Sequence, residues 1–455
     1  MSTSIVLAPF SRPEASLFWA APLAADSEFS PEDPLALDYL GQQMGLWLLP
    51  RFTTRTSRAQ YYAVVLYGLH LAELAIAKYR LADGDERRKW LFERWERFWA
   101  LSVLESHGGT LERGHPDAMR GIRGARRAWR PGAGKLALDY PLISRQLELG
   151  GLGAYLSSLR ATGLVIDGTF KPSVIARDIL DMFWDDDRER DHRIRYHNYA
   201  LAALDPACTH IERKHRNITL GRLGKHARLT AIHGRSAQQA RLFERLLGSG
   251  ADDNTRAIAQ LVQSAEAAGI HDPRALLDAA IAGQLGEVPA PLEALLRGAR
   301  ALGDATVALL DYFNRVYGIV YQQAIASRGD VARQALPATH LAAVQSVCRA
   351  LLDEPEALAL RTLPAHGQAF VHLVSQLADA TPERALDALL AYHRAVQRER
   401  RRGDGWLVED SDRLMLGLSN YPQHQADARF PDFKLGVVRR LLHDLGHTRQ
   451  PAEDV

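Results

Sequence analysis

The stretch "RRLLHDLGH", residues 439–447, places an imidazole and a carboxylate side by side at His443 and Asp444. Such a pair can hold a metal ion for phosphoester hydrolysis, but only if further ligands converge on it. Upstream, His424 offers an imidazole. Downstream only eight residues follow His447, and Asp454 lies in the tail "RQPAEDV" with no helix to carry it back. Val437, Val438, Leu441, Leu442 and Leu445 fall on one face at helical spacing. The expectation is therefore an amphipathic helix closed by Gly446 as its C-terminal glycine, with no metal and no catalytic role.

Other pairings allow other chemistries. HD-type phosphohydrolases complete their site with an upstream His and a later Asp, and the sequence offers no helix for the latter. Arg228 with His233 (R-x4-H) and Arg440 with His447 (R-x6-H) have the spacing by which HEPN-type ribonucleases bind a phosphate and exchange protons. Asp205, Glu212 and Lys214 have the order of a Mg²⁺-dependent nuclease, whose residues sit on adjoining strands. The flanks here read as helical or irregular. Gly134-Lys135 does not make a phosphate loop, because Trp129 stands at the first glycine position and Leu136 replaces the Ser/Thr. His70, Glu73, Glu93, Glu96, Glu105 and His107 lack the Glu-x-x-His pairs of a bundle metal site and read as core-edge groups and surface ion pairs. No nucleophile elbow is present. No cofactor is expected.

The basic residues carry more. Arg113, Arg120, Arg123, Arg126, Arg127, Arg130 and Lys135 lie in one Gly-rich stretch with Trp129 among them. Guanidinium groups contact phosphates in pairs of hydrogen bonds and stack on bases. The segment that follows orders helix, turn, helix, a short hairpin about Asp167-Gly168, and a helix with Ser173 at its start, the order of a winged helix. Ser157, Ser158 and Arg160 fall on its expected recognition helix. Arg120, Arg123, Arg126, Arg127, Arg130, Lys135, Ser157 and Arg160 are the candidate nucleic-acid-binding residues.

The elements that must position these groups are mainly helices. The chain has 455 residues, 47% hydrophobic and 24% charged, and a net charge of +2. It is long enough for several domains, and its overall charge demands no polyanion. Two cysteines, Cys208 and Cys348, cannot staple a fold of this size, so a reducing cytoplasm is expected. Helices are predicted near 35–48, 57–80 and 86–107, a loop with one short helix over 108–135, and Ala/Leu/Arg helices from about 211 to 400 with polar breaks such as "GSGADDN" and "IHDPR". The text "GWLVEDSDRLMLGL" predicts a hairpin about Asp410-Ser411-Asp412. The fold class is thus mainly α, multi-helical, with a winged-helix-like module and a small C-terminal β-hairpin. The expected divisions are 1–135, 136–205, 206–400 and 401–455. "YYAVVLYGLHLAELAIAKY" is interrupted by His70 and Glu73, so a buried helix rather than a membrane span is expected.

Pro50, Thr53, Thr56, Arg58, Ala59, Tyr61 and Tyr62 form a Pro-x-x-Thr-x-x-Thr-x-Arg-Ala-x-Tyr-Tyr pattern, and Arg401, Arg402, Gly403 and Trp406 form a basic segment before the C-terminal hairpin. In these two regions the sequence resembles a set of bacterial genome-defence-associated proteins, with Arg51 standing where that pattern has Gly. The resemblance implies an antiviral role beside helicases and nucleases. Arg58 itself reads as a structural anchor whose guanidinium meets loop carbonyls while Tyr61 and Tyr62 pack. The resulting expectation is a non-catalytic subunit that binds DNA or a partner protein such as a helicase or nuclease. The alternatives are a nuclease and a scaffold without nucleic-acid contact.

Overall fold

The computed structural model describes residues 33–184, 190–400, 403, 405–421 and 425–448. Arg401, Arg402, His424 and Asp454 lie outside the described residues. The chain is mainly helical, with a few short antiparallel strands. The three helices expected first are found at Leu37–Leu48, Ala59–Lys78 and Asp85–Ser106, and the short helix of the basic loop at Ile122–Ala128. The polar breaks read from sequence coincide with helix caps. Asp252 accepts from the Thr255 N–H at 2.9 Å, and Asp272 from the Ala275 N–H at 2.8 Å, each satisfying a donor that the first turn leaves open.

Two bodies of helices share one continuous hydrophobic core from Leu35 to Leu445. In the first, Ala59–Lys78 and Asp85–Ser106 pack together, and Leu220–His226 lies tightly on the latter. A Cβ at Gly224 would sit 1.8 Å from the Ser102 carbonyl oxygen, so that close approach requires glycine. In the second, the 34-residue helix Ala290–Gln323 is surrounded by Pro273–Ile281, Arg328–Ala335 and Ala338–Leu352. Segments near both ends of the described chain pack on these helices. Leu37–Leu48 packs on Ala290–Gln323, whereas Leu435–Asp444 packs on Asp253–Ala267 and reaches Ala59–Lys78. The contact of Leu435–Asp444 with Ala59–Lys78 builds the second site described below.

The C-terminal hairpin is Leu407–Asp410 with Arg413–Leu416, turned at Ser411 with φ 56°. A third strand, Ile325–Ser327, pairs with it antiparallel, placing Ala326 opposite Leu414. The expected hairpin about Asp167-Gly168 is a tight turn closed by one bridge, Val165 to Pro172. Ser173 stands at the start of the next helical turn, but its hydroxyl donates to the Gly163 carbonyl at 2.5 Å instead of capping. The helix expected to read DNA, Gly151–Ala161, buries Leu152, Ala154, Tyr155, Ser158 and Leu159. It packs on Ala59–Lys78, and its exposed positions Gly153, Ser157 and Ala161 carry no charge.

Glu96 is fully enclosed beside that helix, accepting from the Gly151 N–H at 2.5 Å and from Gln146 Nε2 at 2.9 Å. Burial outweighs those bonds and pushes its carboxyl up to about 7. The folded chain therefore holds this proton more tightly than the unfolded one. The associated stability is complete below pH 4.5 and disappears as pH rises through about 7. Urea titrations at pH 5 and pH 8 should show a loss of about 2–3 kcal/mol on this limb, absent in Glu96→Gln.

Candidate functional site

Among the described residues, two places bring together groups that the sequence singles out. The first is an open groove of about 620 Å³ lined by Gly124, Arg127, Ala128, Arg130, Lys135, Leu136, Ala137, Tyr140, Pro141 and His210. One wall is the helix Ile122–Ala128. Ile122, Gly124 and Ala125 are buried, so Arg123, Arg126 and Arg127 face outward at helical spacing. Gly124 allows the seating, since a Cβ there would lie 2.1 Å from the Leu142 carbonyl oxygen. The opposite side is a strand, Lys135–Ala137, paired antiparallel with His210–Glu212. The loop between is held by Arg213, which donates to the Arg130 carbonyl and lies 5.1 Å over the Trp129 ring. Trp129 in turn donates to Glu105 Oε2 at 2.6 Å. Exposed carboxylates pair with two of the basic groups: Glu112 with Arg126 at 3.3 Å and Glu212 with Lys135 at 3.2 Å.

The groove thus brings together three of the candidate binding residues, Arg127, Arg130 and Lys135, with Arg123 and Arg126 exposed on the same short helix. It does not include the others. Arg120 is half-buried and donates to the Leu149 carbonyl at 3.3 Å. Ser157 is exposed on another helix. Arg160 donates to the Thr169 carbonyl at 2.7 Å and stacks on Phe170, which fixes the neighbouring turn and engages its guanidinium within the fold.

The second place is a cluster assembled from both ends of the chain. Arg58 precedes the helix Ala59–Lys78 and supplies no side-chain cap to it. Asp444, 386 residues away, does so instead. Its Oδ2 accepts from the Ala59 N–H at 3.0 Å and from Arg58 Nε at 2.9 Å. A carboxylate at a helix N-terminus is favoured by the helix dipole and by the open first-turn donors. Arg58 Nη1 also donates to the Pro116 carbonyl, so the anchoring role read from sequence is realised, with a buried carboxylate as its second partner. Tyr61 stacks on Tyr155 at 4.7 Å, and Tyr62 meets the same ring edge-on at 4.9 Å. Lys434, at the start of the C-terminal helix, donates to the carbonyls of Leu49 and Phe52 and fixes the far end of that helix.

His233 and His443 stand beside Asp444. His233 Nε2 lies 3.9 Å from Asp444 Oδ1, and the two imidazole rings are 5.3 Å apart. Burial lowers the His233 pKa, and the nearby His443 and Arg58 add to this against the attraction of Asp444. Next to them, His107, His115 and Asp117 form a second triad. Here Asp117 Oδ1 accepts from the Thr230 N–H at 2.8 Å and hydroxyl at 2.6 Å, and its Oδ2 meets His107 Nε2 at 3.0 Å. Burial opposes the Asp117 charge, but these bonds prevail and hold its carboxyl below the usual range. Asp117 thereby clamps the turn Leu229–Ile232, which ends at His233.

The pairs weighed separately in the sequence therefore meet, but in altered roles. Arg228 does not present its guanidinium to an incoming phosphate; it donates to Ser106 Oγ at 2.9 Å and to the Ser106 carbonyl at 2.5 Å. His233 joins the His443–Asp444 pair. Lys214 and Glu212 do lie on short strands, where helix or irregular chain was expected, because Glu212 belongs to the ladder with Lys135. Asp205 turns back on the Ala207 N–H at 2.9 Å and does not join them. The helix carboxylates read as ion pairs are such: Glu73 bonds Arg88, Glu93 bonds Arg97, and Glu105 bonds Arg213. Asp117 and Thr230 carried no signal in the sequence, since neither has a motif neighbour. Both cysteines are free thiols. Among the described residues no helix is long and apolar enough to cross a membrane.

No family model, curated protein or solved structure matches the chain.

Proposed function

We propose that this chain is a nucleic-acid-binding subunit of a bacterial genome-defence or DNA-processing assembly, contacting duplex DNA through the groove at Arg127, Arg130 and Lys135. The observation that carries the reading is the outward array of Arg123, Arg126, Arg127 and Arg130 beside a groove of about 620 Å³ that is open to solvent. Its overall charge of +2 gives the chain no general affinity for polyanions, so binding depends on this local concentration of guanidinium groups. Arg contacts to phosphate are bidentate, and the half-buried Trp129 keeps the loop that carries Arg130 in a fixed shape. The genome-defence setting rests on the resemblance of two short regions, residues 50–62 and the basic segment Arg401, Arg402, Gly403 and Trp406.

The test is fluorescence anisotropy with a labelled duplex across a salt series. Each phosphate contact contributes about 0.9 to the slope of log K against log salt, so replacing Arg123, Arg126, Arg127 and Arg130 by Ala should flatten the slope by about 3–4. Affinity at moderate salt should fall by at least about tenfold. A wild-type chain that does not bind, or a variant with the same slope, removes this reading. Ser157→Ala should leave binding unchanged, because that residue lies outside the groove.

A further inference from the structure

We propose that His233, His443 and Asp444 bind a divalent transition-metal ion of the Zn²⁺ class, with Arg58 and the Ala59 N–H holding the ligand carboxylate in place. One ligand atom from each of the three residues falls within 4.8 Å of the others. An ion bonded at about 2.0–2.1 Å in tetrahedral geometry needs ligand atoms about 3.4 Å apart. The His233 Nε2 to Asp444 Oδ1 separation is 3.9 Å, and rotation of the exposed His233 shortens it toward that value.

The two oxygens of Asp444 are used differently. Oδ2 is engaged by Arg58 and by the Ala59 N–H, whereas Oδ1 faces His233. Metal-bound carboxylates are held this way, with one oxygen on the ion and the other fixed by hydrogen bonds. Nδ1 of His443 is shielded from solvent and has no hydrogen-bond partner among the described residues. A buried nitrogen in that state costs stability unless something meets it. Two imidazoles and one carboxylate favour Zn²⁺ and its first-row neighbours over Mg²⁺ or Ca²⁺, which take oxygen ligands. The Asp444 side chain is 4% exposed and that of His233 is 39% exposed, so the site is closed on one side and open on the other. Three protein ligands with an open position are the arrangement of sites that bind an exchangeable water or substrate oxygen.

The adjoining triad has the same residue types but does not serve as the ion site. Both oxygens of Asp117 are already engaged, by Thr230 and His107, and His115 Nδ1 accepts from the Asp117 N–H at 3.0 Å. Its role is to fix the turn that ends in His233. The proposal does not rest on the groove, and its test contains no nucleic acid.

The experiment uses the full chain without an affinity tag, stripped with chelator and then titrated calorimetrically with Zn²⁺, with Co²⁺ absorption as a second readout and thermal melting in chelator as the control for folding. Wild type should bind one equivalent of Zn²⁺ per chain and no Mg²⁺. His233→Ala and His443→Ala should each weaken binding by at least tenfold. His233 is exposed enough that its variant remains folded, which keeps the test decisive if His443→Ala does not. Absence of Zn²⁺ binding in the wild type overturns the proposal. So does unchanged stoichiometry and affinity in His233→Ala, or a loss that follows His107→Ala while His233→Ala binds normally.

Discussion

Replacing Arg58 by Ala should destabilise the chain by about 3–5 kcal/mol, the cost of leaving a buried carboxylate without its charge partner. The Asp444 side chain is almost completely enclosed, and its Oδ2 meets Arg58 Nε at 2.9 Å. Removal of the guanidinium leaves the Ala59 N–H as the donor that still holds that oxygen, and one neutral donor does not compensate a charge withdrawn from water. The same change cuts the tie from Arg58 to the Pro116 carbonyl and frees the loop that carries Asp117. Arg58→Lys should recover less than half of the loss, because an ammonium group cannot reach a carboxylate and a carbonyl on two sides as a planar guanidinium does. Asp444→Asn in the Arg58→Ala background should recover part of it by removing the stranded charge. Urea denaturation with chelator present measures all three variants. A loss below about 1 kcal/mol in Arg58→Ala would show that the pair behaves as an exposed ion pair.

His393→Ala should cost a comparable amount, about 3–5 kcal/mol, and should alter the response to acid. This imidazole is fully buried among Phe313 and Trp406 and joins three distant parts of the chain. Its Nε2 accepts from the Trp406 N–H at 2.9 Å, so Nδ1 carries the proton and donates to the Pro34 carbonyl at 2.8 Å. Truncation leaves the buried Trp406 N–H unpaired, takes from the Pro34 carbonyl one of its two donors, the other being Gln397 Nε2 at 3.2 Å, and opens a cavity between two aromatic rings. Burial lowers the His393 pKa from 6.5 to about 4. A depressed histidine stabilises the fold above its unfolded pKa, and that contribution is lost as pH falls from 6.5 through about 4. The stability difference between wild type and His393→Ala should therefore shrink by up to about 3 kcal/mol between pH 7.5 and pH 4. Taking the difference cancels the opposite contribution of Glu96, which both chains share. A difference that stays constant with pH would show that His393 is not held neutral.

The candidate site shows where local reading reaches its limit. Arg123, Arg126 and Arg127 stand at helical spacing, and the short helix read from the sequence puts them on its outer face, with Arg130 on the loop that follows. The partner strand of the groove is not local. Lys135–Ala137 finds His210–Glu212 more than 70 residues later, and three-residue strands leave no alternation to read. Arg160 is placed on a helix by its spacing, but only the packed turn shows its guanidinium engaged by the Thr169 carbonyl. His443–Asp444 and His233 each look accidental as short motifs, since their neighbours in sequence offer no completing ligands. The partners come instead from Leu229–Ile232 and from the start of Ala59–Lys78.

By itself, the sequence determined the helical class, the position of the first three helices within a few residues, the polar breaks that become caps, and the hairpin at Leu407–Leu416. These follow from side-chain periodicity and turn chemistry, which act over fewer than about ten residues. Tertiary structure decided which ends of the chain meet. The packing of Leu435–Asp444 on Asp253–Ala267 and Ala59–Lys78 brings Asp444 to Arg58, and burial of apolar side chains across that packing, not any motif, holds them together.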